Sequence, residues 1–219
     1  MDVKKAIEER RAYRSLIKTK ISRSSIKELI EAARLCCSAE NNQPWRFVFV
    51  TDPELMDRLH ATFIADNAWA VNASMYVAVC SNEKLDDTVN DRDILGMMSN
   101  GGKLSSNGNE RPYYLFDTGM ATGFMILRAV ELGLVAHPIA GYLEQRVQKI
   151  LGIPKNVTVA ALLVVGKRAK TIDPELPPEM KKDERVRPAR LPAGEIAFMD
   201  RYVAKPPKNL RRPILNKKK

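Results

Sequence analysis

The side chains best able to make or break bonds unaided are few in this sequence. It holds three cysteines, Cys36, Cys37 and Cys80, and two histidines, His60 and His137. No two cysteines form a C-x-x-C pair, and two histidines are too few to complete a zinc or iron–sulfur ligand set, so no metal is expected. Cys36 and Cys37 could form a redox pair, but both close an apolar helical pattern, where cysteine behaves as a small hydrophobe. Neither histidine has a recognisable carboxylate or nucleophile partner. The chain also lacks G-x-x-x-x-G-K-[ST], G-x-G-x-x-G after a strand-like run, G-x-S-x-G and H-E-x-x-H. Phosphoryl transfer, a Rossmann cofactor site and the common hydrolases lose their support. An enzyme made of these residues would leave the chemistry to a cofactor, and no side chain is singled out as catalytic.

Three polar clusters suggest what such a cofactor would meet. Arg10-Arg11-Ala12-Tyr13-Arg14 concentrates guanidinium groups, whose planar forks of donors suit a phosphate or the polar edge of a heterocycle. A charged helix end facing solvent would look the same. Ser38-Ala39-Glu40-Asn41-Asn42-Gln43-Pro44-Trp45 is a polar loop between a helical and a strand-like run. Its amides can both donate and accept, as recognition of a flavin's pyrimidine edge requires. His137-Pro138-Ile139-Ala140-Gly141 predicts a tight turn able to aim a backbone N–H at a ligand.

The elements that must position these clusters alternate, with no internal repeat. Helical patterns cover Val3–Glu9, Ser25–Cys37 with a capping-box arrangement of Ser24/Ser25 and Glu28, Pro53–Ile64, Thr118–Leu132 and Glu144–Leu151. Strand-like runs lie at Arg46–Thr51, Met75–Ser81 and Val157–Val165, with a fourth candidate at Ile196–Val203. This is an α+β pattern. The Thr118 helix reads as apolar nearly all round, which predicts burial on every side, with Asp117 as N-cap and Gly133 just past its end. Gly119 and Gly123, one turn apart, would admit another helix at close range, from a second subunit or from the same one. Residues 99–112 are rich in Gly, Asn and Ser and predict a mobile loop, while the proline-rich, charged segment 171–194 predicts an extended stretch without its own core.

At 219 residues, 45% hydrophobic and 28% charged, the chain has the size and composition of an ordinary globular domain. Its longest apolar run, Leu115–Leu127, contains Asp117 and falls short of the roughly 20 residues that span a bilayer. Met1–Lys20 is too charged for a signal peptide, so a cytoplasmic protein is expected. The net charge of +10 is concentrated at residues 203–219, where seven basic residues and no acidic one leave +3 for residues 1–202. The expected organisation is therefore a domain over 1–202 and a basic arm over 203–219, kept extended by Pro206, Pro207 and Pro213. Such an arm could touch a polyanion. With no interleaved aromatics to stack bases, nucleic acid is not the expected partner, and a solvated or partner-wrapping arm is.

Taken in order, several stretches resemble the nitroreductase family. They are the R-R-S-x-R-like Arg10–Arg14, the S-x-x-N-x-Q-P-W of Ser38–Trp45, the D-x-G-x-A of Asp117–Ala121, Gly133-Leu134, Pro138–Gly141 and an R-x-P-x-x-E-[IV]-like ending at Arg190–Ile196. Asn41-x-Gln43-Pro44-Trp45 is the most diagnostic. Two positions depart from the pattern: Ala12, where the family often has a phosphate-binding serine, and Cys36-Cys37, where Ala-Pro is common.

The resemblance implies a central mixed or antiparallel sheet flanked by helices, in an interlocked homodimer that binds two FMN at its interface. It implies that Arg10 and Arg190 hold the FMN phosphate, with Arg187 a nearby substitute, that Arg14 contacts the pyrimidine side, and that Arg11 and Ala12 add contacts. Ser38, Ala39 and Asn41 would reach the flavin from the partner subunit, Ala140-Gly141 would set a backbone N–H near flavin N5, and Gln43 and Ile139 would also line the cofactor. NAD(P)H would be the electron donor, and small acceptors such as nitroaromatics or quinones would be reduced through N5 in a ping-pong cycle. The loop at 99–112, with Tyr113 and Tyr114 at its base, would cap the acceptor. The wider superfamily also includes dehalogenation, flavin fragmentation and ring dehydrogenation, which steady-state NAD(P)H oxidation would separate from this reading. A non-enzymatic protein binding nucleic acid through its arm would instead purify colourless and bind DNA in a salt-sensitive way.

Overall fold

In a computed structural model of the chain, residues 1–64, 67–82, 103–106 and 109–202 are described. The basic arm at 203–219 lies outside them. The described residues fall into two units divided after Arg185. Among them no helix is long and apolar enough to cross a membrane.

The first unit contains α1 (Val3–Glu9), β1 (Leu16–Ile17), α2 (Arg23–Arg34), β2 (Trp45–Val50), α3 (Pro53–His60), β3 (Met75–Asn82), β4 (Lys103–Ser106), β5 (Asn109–Pro112), α4 (Tyr113–Glu131), β6 (Val135–Ile139), α5 (Glu144–Leu151), β7 (Val157–Arg168) and α6 (Pro178–Arg185). Local chemistry starts the helices. Asp2, Ser22 and Asp52 each accept the backbone N–H of the residue three positions on, and Pro53 supplies the preset first turn of α3. The cap of α2 is thus Ser22 rather than Ser24 or Ser25.

Five strands form the main sheet, and every pairing in it is antiparallel. β7 is its axis: β3 runs along Val157–Val165, β6 along Leu162–Gly166 on the opposite edge, and β1 pairs with Lys167 and Arg168. Side chains alternate between two covered faces. Met75, Val77, Val79, Leu163 and Val165 pack with Leu29, Ala33, Met125 and Ala129 of α2 and α4. Tyr76, Ala78, Cys80, Leu162 and Val164 pack with Leu59 of α3, Val147 of α5 and Trp69. With both faces covered, Met75 to Ser81 is buried at every position, which is why β3 reads as a continuous apolar run.

Four expectations change here. Asp117 is not an N-cap: α4 begins at Tyr113, one residue after β5, and carries Asp117 inside its second turn, buried. Nor is α4 covered all round, since Phe116, Gly119 and Phe124 face outward on the single chain. Within 99–112, Lys103–Ser106 and Asn109–Pro112 pair as antiparallel strands, while 99–102 and 107–108 lie outside the described residues. The segment 171–194 is not merely extended, because it carries α6 and buries Leu176. Gly133 does follow α4 with φ 72°, the left-handed position that glycine adopts without strain.

The second unit begins at Val186. It holds α7 (Ala193–Ile196), and Phe198 and Tyr202 meet edge to face at 4.8 Å. Residues 197–202 form no strand, which corrects the expected fourth run; Val203 lies outside the described residues.

Candidate functional site

Arg10 closes α1, its N–H donating to Ala6 O at 2.9 Å, and the chain then runs extended to β1. α6 anchors this stretch. The Arg11 guanidinium donates to the Asp183 carbonyl, and the Arg14 N–H donates to Glu184 Oε1 at 2.7 Å. Arg14 Nη1 also lies 3.9 Å from Asp183 Oδ2. Glu184 is buried, so this short charge-assisted bond fixes the backbone at Arg14 firmly. Tyr13 lies within cation–π reach of Arg11 and Arg168, at 4.9 and 4.0 Å from the ring centre.

The third cluster meets the first through His137, 124 residues from Tyr13. His137 Nδ1 is 3.2 Å from Tyr13 O, and because a carbonyl can only accept, Nδ1 carries the hydrogen. Its ring stacks on Trp69 at 4.7 Å. Burial pulls the His137 pKa down to about 4, against the Tyr13 carbonyl, which favours the cation, and the charges of Arg14 and Arg10 add to the depression. His137 is thus buried between Tyr13 O and Trp69, with its protonation held off by burial. His60, the other histidine, contacts Ala68 O at 3.1 Å.

The expected turn splits in two. Val135–Ile139 is strand, with Pro138 exposed on a strand that among the described residues pairs with β7 alone, where its missing N–H costs no ladder bond. The turn itself comes at residues 140–142, closed by Tyr142 N donating to Ala140 O at 3.2 Å. Ile139 is buried, so only its backbone faces the turn, whereas Ala140 is exposed. Gly141 is required by close approach: a Cβ there would lie 2.6 Å from Asn67 Nδ2 and 2.8 Å from Ile64 O. Gly141→Ala should lower stability by about 1–3 kcal/mol, the usual cost of overpacking. An unchanged urea midpoint would mean that the 64–67 stretch gives way.

The second cluster hangs on a different element. Ser38 Oγ accepts Gln43 N at 3.0 Å, Gln43 Nε2 donates to Asn41 O at 3.2 Å, and Asp117 Oδ2 of α4 accepts Ala39 N at 3.1 Å. Inside that frame Glu40, Asn41 and Gln43 have φ of 52°, 56° and 47°. Left-handed backbone costs a non-glycine residue of order 1 kcal/mol or more, asparagine least, so the surrounding bonds must hold the loop there. Arg187 and Arg190 belong to the second unit, where Arg190 Nη1 donates to Pro188 O at 2.8 Å.

This arrangement matches known proteins. The sequence profile of the nitroreductase family aligns with residues 7–167, most of the chain. The chain belongs to the nitroreductase family. An oxygen-insensitive NADPH nitroreductase of Helicobacter acinonychis is 27% identical over 68% of this chain and 79% of its own. An oxidoreductase containing FMN superposes with a TM-score of 0.72 at 27% identity, covering 91% of this chain and 92% of that one. A nitroreductase-like protein of Exiguobacterium sibiricum, crystallised in complex with FMN, superposes with a TM-score of 0.71 at 25% identity, covering 90% and 97%.

As a nitroreductase-family member the chain has the antiparallel sheet and flanking helices its motifs predict, and the structure ties the arginine segment to β6 through Tyr13 and His137. What the motifs missed is the support. Asp183, Glu184, Trp69 and Asp117 fall outside the motifs or were read as ordinary caps. Only Pro177-Pro178 followed by an acidic residue signals the helix that carries Asp183 and Glu184.

Proposed function

We propose that this nitroreductase-family protein is an FMN-dependent NAD(P)H oxidoreductase that reduces small acceptors such as nitroaromatics or quinones, and that it works as a homodimer with shared flavin sites. The observation that carries this reading is the bond that ties the Arg10–Arg14 stretch, at Tyr13 O, to His137 of β6, the strand that leads into the residue 140–142 turn. A cluster of cationic side chains beside that strand suits an anionic phosphate joined to a polar-edged ring. FMN, when bound, supplies the redox chemistry by taking hydride from NAD(P)H and passing it to the acceptor in two half-reactions.

The chain's own residues bind and orient. Arg10 pairs with the phosphate. Arg14, pinned at its backbone by Glu184, lends positive charge to the pyrimidine edge. Arg11, committed to the Asp183 carbonyl, contributes by holding the backbone past Ala12 rather than by direct contact. Ile139, Ala140 and Gly141 offer backbone, and Ser38, Ala39, Asn41 and Gln43 reach across from the partner. No protein proton donor is required, consistent with a His137 that stays neutral at ordinary pH.

The dimer rests on α4. Phe116, Gly119 and Gly123 follow one another at helical spacing with Phe124 beside them, and Phe116 and Phe124 are 57% and 47% exposed on the single chain. α1 packs on α4 and exposes Val3 and Ile7. An apolar face of this kind is what a second subunit covers.

Purified protein should be yellow, absorbing near ~450 nm as bound flavins do, and should oxidise NADH or NADPH when a nitroaromatic or quinone is added. Arg10→Ala should weaken FMN about ten- to a hundredfold through loss of one charge-assisted bond. Fluorescence titration that finds the same FMN affinity in the variant would refute the role of Arg10.

A further inference from the structure

Asp117 lies inside α4, 98% removed from solvent, a carboxylate among apolar residues. Burial pushes its pKa up, and the Ala39 N–H works against that. Oδ2 accepts this N–H at 3.1 Å, 78 residues away, while among the described residues Oδ1 is buried with no partner. A buried oxygen without a hydrogen bond is a standing cost to stability, so a residue that carries one is kept for something else. What Asp117 holds is the first N–H of the Ala39–Asn41 turn. Ser38, the residue placed to cap that turn, instead accepts the Gln43 N–H with its hydroxyl oxygen. The turn is therefore capped from another element, at the point where the backbone enters its left-handed run at Glu40, Asn41 and Gln43. Ser81 and Thr118 hold α4 itself on β3: their hydroxyls meet at 2.8 Å, and Ser81 donates to Tyr114 O at 3.0 Å.

We propose that Asp117 is a positioning residue for cofactor binding: from the helix that faces the second subunit it fixes the Ala39 amide, and so holds residues 38–43 in the conformation in which they meet the partner's flavin. This rests on the functional reading above and adds a link to it. One side chain ties the proposed dimer helix to the proposed flavin loop, so the loop is delivered in register with the interface. The bond is an acceptor's task and does not need the charge. Asparagine can do it and alanine cannot.

Full-length wild type, Asp117→Ala and Asp117→Asn are compared as dimers checked by sedimentation. Three readouts are taken: FMN affinity by fluorescence titration, the visible spectrum of the bound flavin, and exchange of the Ala39 amide proton. In Asp117→Ala the Ala39 amide should exchange at least about tenfold faster and FMN should bind about tenfold more weakly, with a shifted flavin spectrum. Asp117→Asn should stay within about threefold of wild type on both affinity and exchange. A dimeric alanine variant that binds FMN as tightly as wild type overturns the proposal, even if its melting temperature falls. So does an asparagine variant as impaired as the alanine one. If alanine at 117 prevents folding, the asparagine variant decides alone, by keeping wild-type affinity and Ala39 protection or losing them. Wild type that holds no FMN would overturn the functional reading itself, an outcome distinct from equal affinity in wild type and Asp117→Ala.

Discussion

Gly123→Leu is expected to yield a folded monomer that has lost its FMN. A helix-interior glycine costs about 1 kcal/mol relative to alanine, and within the subunit nothing explains why α4 accepts that cost twice. Among the described residues, a Cβ built at Gly119 or Gly123 meets no atom within 4 Å beyond the helix's own backbone. The single chain has room for a side chain at both, on the helix that exposes Phe116 and Phe124, so a leucine is expected to spare the subunit's own packing. In a two-fold dimer each intrusion occurs twice, once from each helix, at roughly 1–3 kcal/mol per overpacked site. Separated chains would no longer present residues 38–43 to the neighbour's Arg10–Arg14 stretch, so flavin and dimer should be lost together while far-ultraviolet circular dichroism stays that of the wild type. Analytical ultracentrifugation that finds a stable monomer with stoichiometric FMN would contradict the shared site. A variant that remains a dimer would move the interface away from α4.

The same helix shows where sequence reasoning succeeds and where it stops. Its apolar content and its end at Gly133 were legible because both are local: periodicity for one, left-handed freedom for the other. Its start was misplaced by five residues, since Asp117 has the side chain of a cap and only the fold reveals that its acceptor serves Ala39 instead. α1 and α5 match their patterns to the residue because each is a short amphipathic unit. β6 was hidden by Pro138, which argues against a strand unless the strand has an unpaired side, and a sequence does not say which strands have one. The arginine cluster is legible as chemistry, but its sequence gives no sign that Glu184 and His137, 170 and 124 residues away from their partners, hold its backbone at Arg14 and Tyr13. The motifs name the groups proposed to touch the flavin, and long-range bonds fix the backbone that carries them.

Acid should weaken the protein through His137, and the loss should disappear in His137→Gln. In the unfolded chain this imidazole takes its proton near its ordinary value of 6.5, whereas in the folded chain burial first, then the charges of Arg14 and Arg10, hold protonation off until about pH 4. Between those values the unfolded state binds more protons, so stability is fully present above pH 6.5 and declines as the pH falls, levelling off below about 4. At about 1.4 kcal/mol per unit the window amounts to about 3 kcal/mol, a large share of the stability of a domain this size. Urea unfolding from pH 7 to 4 on wild type and His137→Gln isolates the contribution, because carboxylates that titrate in the same range are common to both. Equal slopes would mean that His137 is not the group responsible. If the flavin phosphate lies beside Arg10 as proposed, its negative charge also offsets the repulsion those arginines impose on a protonated ring. The FMN-loaded protein should then lose less stability than the stripped one over the same interval, and that difference should also be absent in His137→Gln.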